Sequence, residues 1–290
     1  MEILSALAPL VIKIGIDPQI AKFGGLEIAW HGVFTAVGVI CGVAVAAFFG
    51  RRAGFNEDTI YNTALALVIG GIIGARALFV WENVDQFRDD PLDVFAINAG
   101  GISIYGALIG GTLGALAYVG WRRLPRLAAM ADVAAMGAII GMAVGRIGDI
   151  INGEHFSKTT DWPIGVLYTN PNSPSYPRFT AVDPQLAQHP VVGYEMVGDL
   201  LIFVALFVLY RVLKRDGMVF WAWVFLYGAL RFGISFMRDD NLVFAGLRLA
   251  QLIALGAMIL APLGVAYILL PRRPADRAER RRVARQRPSQ

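Results

Sequence analysis

The sequence predicts an all-α fold: a polytopic membrane helix bundle with seven transmembrane helices. Hydrophobic residues make up 56% of the 290 residues and charged residues only 17%. Mean hydropathy is +0.56, whereas a soluble domain carries about a quarter charged residues. Seven apolar segments approach or exceed the roughly 20 residues that a helix needs to cross a bilayer. Together these observations exclude a soluble globular protein.

The predicted spans follow one another in order along the chain. They are Ala29–Phe49, Thr63–Trp81, Gly101–Trp121, Ala128–Ile147, Tyr194–Leu213, Met218–Phe236 and Leu247–Leu270. Small residues recur at four-residue spacing in three of them, which predicts closely packed helix backbones. These rows are Gly70 and Gly74; Gly106, Gly110 and Gly114; and Gly137, Gly141 and Gly145.

Three segments outside the spans have their own character. Residues 1–25 are apolar but interrupted at Lys13 and Asp17, which favours a short helix lying in the outer interface. The insert 152–192 is rich in proline with aromatic residues among them, and we expect an irregular or partly stranded extracytoplasmic cap. We therefore treat 1–271 as a single membrane domain and 272–290 as a basic cytoplasmic tail.

Basic residues predict the orientation, because short cytoplasmic loops are enriched in Lys and Arg. They follow the first, third and fifth spans, and the tail holds eight arginines against two carboxylates. With seven spans these regions all lie on one side, so the N-terminus is outside and the C-terminus is cytoplasmic. The tail faces anionic lipid headgroups, and we expect no nucleic-acid partner.

The stretch Gly145–Glu154 is the most informative part of the chain, because it closes an apolar segment with an arginine, two carboxylates and an amide. Ionisable groups at membrane depth are costly and mark functional sites. Further basic groups are predicted at similar depth, at Arg76, Arg231 and Arg238. Guanidinium groups bind phosphate bidentately, so this set predicts a lipid-phosphate site. Pairing with nearby carboxylates or snorkelling to the interface stays open for any single arginine.

Five blocks in register carry a family resemblance. Gly145–Glu154 resembles Gly-Arg-x-Gly-Asn-Phe-x-Asn-Gly-Glu, the signature of bacterial prolipoprotein diacylglyceryl transferases. The other blocks that resemble this family lie, in matching order, at Ala29–Gly32, Gly100–Gly106, His189–Glu195 and Tyr227–Arg238. The resemblance extends over nearly the whole chain, from Pro18 to Gln251.

The resemblance implies a multi-pass enzyme of the bacterial inner membrane. Such an enzyme moves the diacylglyceryl group of phosphatidylglycerol to the lipobox cysteine of a preprolipoprotein signal peptide and releases glycerol phosphate. The implied catalytic residues are Arg146, Arg231, Glu154, Tyr105 and His31. The implied phosphatidylglycerol-binding residues are Arg146, Asp149, Asn152, Tyr227, Arg231, Arg238, Arg76, Gln251, Tyr194 and Glu195. We expect a monomer without an organic cofactor, and no His/Cys cluster has metal-ligand spacing.

Four positions depart from the family pattern. Tyr105 stands where the family has histidine, and His31 stands where it has tyrosine, so the two side chains are expected to have exchanged places if both face one cavity. Asp149 replaces the signature asparagine, and Ser235 replaces a glutamate. An active transferase is one interpretation, and a homologue that binds phospholipid or uses another acceptor is the alternative. A small transporter is weaker, since no inverted repeat is obvious.

Overall fold

The computed structural model describes residues 10–24, 26–88, 90–95, 100–176 and 187–270. Seven helices of 17 residues or more lie within these ranges. They are α1 (Trp30–Arg52), α2 (Glu57–Glu82), α3 (Ile104–Trp121), α4 (Leu127–Asn152), α5 (Val191–Val212), α6 (Met218–Ile234) and α7 (Leu249–Leu269). Two short 3₁₀ helices, Val84–Phe87 and Pro91–Phe95, lie between α2 and α3.

The helices confirm a polytopic membrane protein that is mostly helical. Six of those described, α1 to α5 and α7, are long and apolar enough to cross a membrane. The helix α6 is apolar but has 17 residues, fewer than the expected span Met218–Phe236. It ends at Ile234, and the hydroxyl of the next residue, Ser235, donates to the Arg231 carbonyl oxygen at 2.7 Å.

Glycines bring the helices together in pairs, as their spacing predicts. The helix α1 packs on α4, and α2 packs on α3. A Cβ atom at Gly110 would lie 2.7 Å from the Cα of Gly74, and one at Gly42 would lie 2.8 Å from the carbonyl oxygen of Gly137. Neither position admits a side chain without moving a backbone. Gly145 differs from its row, because a Cβ there would meet nothing within 4 Å.

The extramembrane segments form short strands, so the described chain is not purely helical. The strands are β1 (Leu10–Ile14), β2 (Gln19–Phe23), β3 (Leu26–Ala29), β4 (Ile164–Tyr168), β5 (Leu242–Phe244) and β6 (Leu247–Arg248). Strand β1 pairs in parallel with β4, and the other two pairs, β2 with β3 and β5 with β6, are antiparallel.

The interfacial helix expected in residues 1–25 is wrong for the part described. The β-branched segment Leu10–Ile14 satisfies its backbone by pairing with β4 of the insert instead. The partly stranded cap expected in 152–192 is present, with Gln188 bridged to Thr159 and Val166. Residues 1–9, the cap residues 177–186 and the basic tail 272–290 lie outside the described residues.

Hydrogen bonds join the cap, the insert 152–192, to the end of α4. Gly153 ends that helix in the left-handed region (φ 72°), a conformation that glycine adopts readily. The Tyr168 hydroxyl donates to the Ile150 carbonyl oxygen at 2.8 Å, and the Ser173 hydroxyl donates to the Asn152 carbonyl oxygen at 3.3 Å. Burial raises the pKa of Tyr168, so this hydroxyl stays a donor. These bonds hold the signature segment in place beneath the cap.

Candidate functional site

A buried carboxylate gathers three guanidinium groups from different parts of the fold. Glu195, the fifth residue of α5, is 2% exposed. Its Oε2 lies 2.8 Å from Nη2 of Arg146 on α4, and its Oε1 contacts Nη1 of Arg231 on α6. Nη1 of Arg238, just after α6, lies 3.6 Å from the same Oε1. Three positive charges therefore surround one buried negative charge.

The arginines differ in how far other carboxylates neutralise them. Asp149 lies 3.0 Å from Arg146, and Asp240 lies 3.0 Å from Arg238. Among the described residues Arg231 has only Glu195 as a carboxylate partner, and its side chain is 23% exposed, more than the other two. Arg231 is therefore the arginine best placed to meet an anion from outside.

Two buried N–H groups of this arginine set lack a hydrogen-bond acceptor in the described structure. They are Nε of Arg146 and Nη1 of Arg238. Buried polar groups are nearly always hydrogen-bonded, so each exception asks for an explanation. A guanidinium group can only donate. The missing partners must therefore be acceptors, and phosphate oxygens are acceptors that arginine binds well.

A second cluster adjoins the first through Asp149. Its Oδ1 lies 2.6 Å from Nδ1 of His31 on α1, and its Oδ2 lies 3.4 Å from Nε2 of His155. The Glu154 Oε1 lies 3.8 Å from the same His31 nitrogen. Because Arg146 also donates to Asp149, the two clusters form one continuous network.

Gly148 explains why these residues meet although His31 and Asp149 are 118 residues apart. A Cβ atom at Gly148 would lie 2.8 Å from the His31 Cα and 2.9 Å from the Phe34 Cβ. The signature segment can therefore approach the first turn of α1 only with glycine at this position. The same approach places Asp149 against the imidazole.

One ligand atom from each of His31, Asp149 and Glu154 lies within 4.8 Å of the others, a grouping that can accommodate a metal ion. No spacing in the sequence indicates this grouping, because His31 comes from a distant helix. Two neighbouring positive charges oppose a cation here. Arg146 lies 3.0 Å from Asp149, and Nη2 of Arg238 lies 3.2 Å from Nδ1 of His155.

Arg76 lies apart from the ion-pair network. Its guanidinium group donates to the carbonyl oxygens of Val94, Gly100, Gly101 and Asp93. Those bonds hold the loop between α2 and α3 and occupy the donors that a phosphate would need. Tyr105, in the first turn of α3, is 37% exposed and makes no described hydrogen bond to the network. Of the pair expected to exchange places, His31 alone reaches Asp149.

The other expected binding residues make contacts of their own. Tyr227 lies one helical turn before Arg231, and its ring stacks on Trp223. Gln251 is fully buried, where its Oε1 accepts from the Arg248 amide at 3.0 Å and its Nε2 has no described partner. Tyr194 precedes Glu195 in the chain, and its ring lies near that of His189. Asn152 is the last residue of α4.

Two further residues adjoin the site, although neither is among its expected members. A histidine that follows Glu154 in a polar loop is expected at the surface, but His155 lies between Asp149 and Arg238 with its side chain 24% exposed. Asp199 is fully buried one turn beyond Glu195, and neither of its oxygens has a described hydrogen-bond partner. The four-residue spacing of Glu195 and Asp199 is the signal that could have placed both on one helix face.

Replacing Glu195 by glutamine is expected to lower the free energy of unfolding by about 3 kcal/mol, because removal of one buried charge leaves guanidinium groups unpaired. Thermal unfolding in detergent checks this. The matched control is Glu154→Gln, since that side chain is 42% exposed and exposed ion pairs contribute little. Equal melting temperatures for the two variants would contradict a structural role for Glu195.

Comparison with known proteins identifies the family to which the chain is similar. A family model described as "Prolipoprotein diacylglyceryl transferase" matches residues 18–268. Three relatives named "Phosphatidylglycerol--prolipoprotein diacylglyceryl transferase" illustrate the similarity. The one from Trichormus variabilis is 31% identical over 89% of this chain and 91% of its own length. Those from Clostridioides difficile and Acaryochloris marina are 32% and 33% identical over 81% and 88% of this chain, and over 88% and 92% of theirs.

Proposed function

The chain belongs to the prolipoprotein diacylglyceryl transferase family, and on that premise we propose its reaction. It transfers the diacylglyceryl group of phosphatidylglycerol to the cysteine thiol in the lipobox of a preprolipoprotein, and glycerol phosphate leaves. The observation that carries this proposal is the buried set of three arginines on Glu195, with N–H groups that lack acceptors. Simple phospholipid binding is not favoured, because the relatives are named as transferases.

The arginines would stabilise the leaving group. Negative charge grows on the phosphate oxygen as its bond to the glycerol carbon breaks, and fixed donors in a dry site stabilise such charge strongly. Arg231 keeps one nitrogen on Glu195 and can offer its remaining donors to the headgroup. Arg146 is oriented by Glu195 and Asp149 together, so its unpaired Nε points in a fixed direction. Tyr227, one helical turn before Arg231, would support the headgroup from the edge of the site.

We also propose the finer topology. At 1.5 Å per residue the 17 residues of α6 extend about 26 Å, close to the roughly 30 Å of the hydrocarbon core. Counting α6 gives seven spans, with the N-terminus outside and the basic loops in the cytoplasm. The arginine site then lies near the outer face of the bacterial inner membrane.

Complementation tests the proposed function. A bacterium depleted of its own transferase and supplied with this chain is expected to attach labelled diacylglycerol to its lipoproteins and to keep growing. An empty vector is the negative control, and a membrane-fraction immunoblot verifies that the chain is produced. Production of the chain without labelled lipoprotein would show that the proposed function is wrong.

A further inference from the structure

Resting on the proposed function, we propose that His31, oriented by Asp149, is the catalytic base that takes the proton from the acceptor thiol. The 2.6 Å contact between His31 Nδ1 and Asp149 Oδ1 is the observation that suggests it. The contact joins two of the positions at which this chain departs from the family pattern. The acceptor thiol needs such a base, because a free cysteine has a pKa of about 8.5 and only the thiolate is nucleophilic.

The hydrogen bonds around His155 determine which of its ring nitrogens carries the proton. The Arg238 guanidinium group can only donate, so His155 Nδ1, 3.2 Å from Arg238 Nη2, must accept. A neutral His155 then carries its proton on Nε2, which faces Asp149 Oδ2 at 3.4 Å. His155 therefore acts as a donor to Asp149.

The contacts of Asp149 determine in the same way which ring nitrogen of His31 carries the proton. Asp149 already receives donors from Arg146 and His155 on Oδ2, as an ionised carboxylate does. Its Oδ1 must then accept from His31, so the proton of a neutral His31 lies on Nδ1. The lone pair is left on Nε2, for which the described residues provide no partner. A base within hydrogen-bond reach of an orienting third group is the general arrangement of an activated nucleophile site.

His31 is also the accessible histidine of the network. Its side chain is 44% exposed, whereas that of His155 is 24% exposed. The chain has three histidines. His155 is committed to Arg238 and Asp149, and the ring of His189 packs against Trp162. His31 alone thus combines an oriented imidazole with space for a substrate.

In the proposed step one carbon–sulfur bond replaces one carbon–oxygen bond. The lipobox thiol gives its proton to Nε2 of His31, and the resulting thiolate attacks the carbon of the diacylglycerol moiety that bears the phosphate ester. The carbon–sulfur bond forms as the carbon–oxygen bond breaks, and the electron pair leaves on the phosphate oxygen beside Arg146 and Arg231. The imidazolium then passes its proton to the released glycerol phosphate or to water.

Rates of transfer to a lipobox peptide at pH 6 to 9.5 test the role of His31. His31→Gln is expected to lower the rate by about 10²–10⁴-fold at pH 7, the usual contribution of a general base. The deficit should shrink toward pH 9.5, where the thiol ionises unaided, and imidazole should partly rescue His31→Ala. The KM for phosphatidylglycerol should stay unchanged. Val37→Leu, an exposed position on the same helix, is the matched control.

The tautomer offers a readout that does not depend on activity. In protein with ¹⁵N-labelled histidine, the His31 signals are expected to show a protonated Nδ1 and an unprotonated Nε2. Asp149→Asn should disturb this pattern, because an amide presents one acceptor oxygen where the carboxylate presents two. A proton found on Nε2 of His31 in the wild-type protein would overturn the inference.

The outcomes separate the two proposals. A full rate in His31→Gln, with a wild-type pH profile, would overturn the inference and leave the proposed function standing. Loss of activity on chelation, restored by Zn²⁺, would assign His31, Asp149 and Glu154 to a metal and also overturn it. No transfer by the folded wild-type chain would overturn the proposed function and the inference together.

Discussion

Arg231→Gln is expected to lower kcat for diacylglyceryl transfer by about 10³-fold. Removing one donor from a preorganised anion site lowers kcat by about 10²–10³-fold, and glutamine also removes the positive charge. Because the phosphate gains charge mainly in the transition state, kcat should fall more than KM rises. Arg146→Gln is expected to lower kcat by a similar factor, since both guanidinium groups contact Glu195.

Initial rates with purified variants at saturating phosphatidylglycerol measure this effect. Arg211→Gln is the matched control, because Arg211 lies exposed at the other end of α5 and contacts the Phe207 ring instead of a carboxylate. The control is expected to keep the wild-type rate. An Arg231→Gln rate within threefold of wild type would remove the arginine set from the mechanism.

Gly148→Ala is expected to lower the transfer rate by about 10²-fold while the protein still folds. The added Cβ would lie 2.8 Å from the His31 Cα and 3.0 Å from the Trp30 carbonyl oxygen, so α1 and α4 must separate. Overpacking of this kind reduces stability by about 1–3 kcal/mol. The larger effect is on geometry, because a displacement of about 1 Å at a catalytic site can lower the rate 10²-fold.

Gly145→Ala provides a control three residues earlier on the same helix. A Cβ there meets nothing within 4 Å, so activity and melting temperature should stay near the wild-type values. Transfer rates and thermal unfolding in detergent measure both variants side by side. Equal activity for the two variants would show that the contact between His31 and Asp149 does not depend on the close approach at Gly148.

The helices were predictable because each apolar segment carries its own signal. Expected spans and observed helices agree in order, and the glycine rows predict closely packed backbones such as those of α2 and α3. The segment Leu10–Ile14 was mistaken because its partner, Ile164–Tyr168, lies about 150 residues further along the chain. A single segment cannot show that such pairing will outweigh helix formation, since strand preference depends on neighbours.

The site was predictable in its residue types but not in its connections. Arg146, Arg231 and Glu195 stood out because charge near membrane depth is costly. Nothing in the sequence shows that one buried carboxylate anchors all three arginines, since that depends on how α4, α5 and α6 pack. The contact between His31 and Asp149 likewise depends on the close approach at Gly148. Arg76 satisfied the same sequence criterion, yet it holds a loop.

The intact mass of a lipobox peptide tests the central claim most directly. The purified chain is incubated with phosphatidylglycerol and the peptide, and a second peptide with serine in place of the cysteine serves as control. We expect the cysteine peptide alone to gain one diacylglyceryl group, after which its thiol resists alkylation. Glycerol phosphate should appear in equal amount. Folded protein that leaves the cysteine peptide unmodified, or that releases glycerol phosphate without modifying it, would contradict the account.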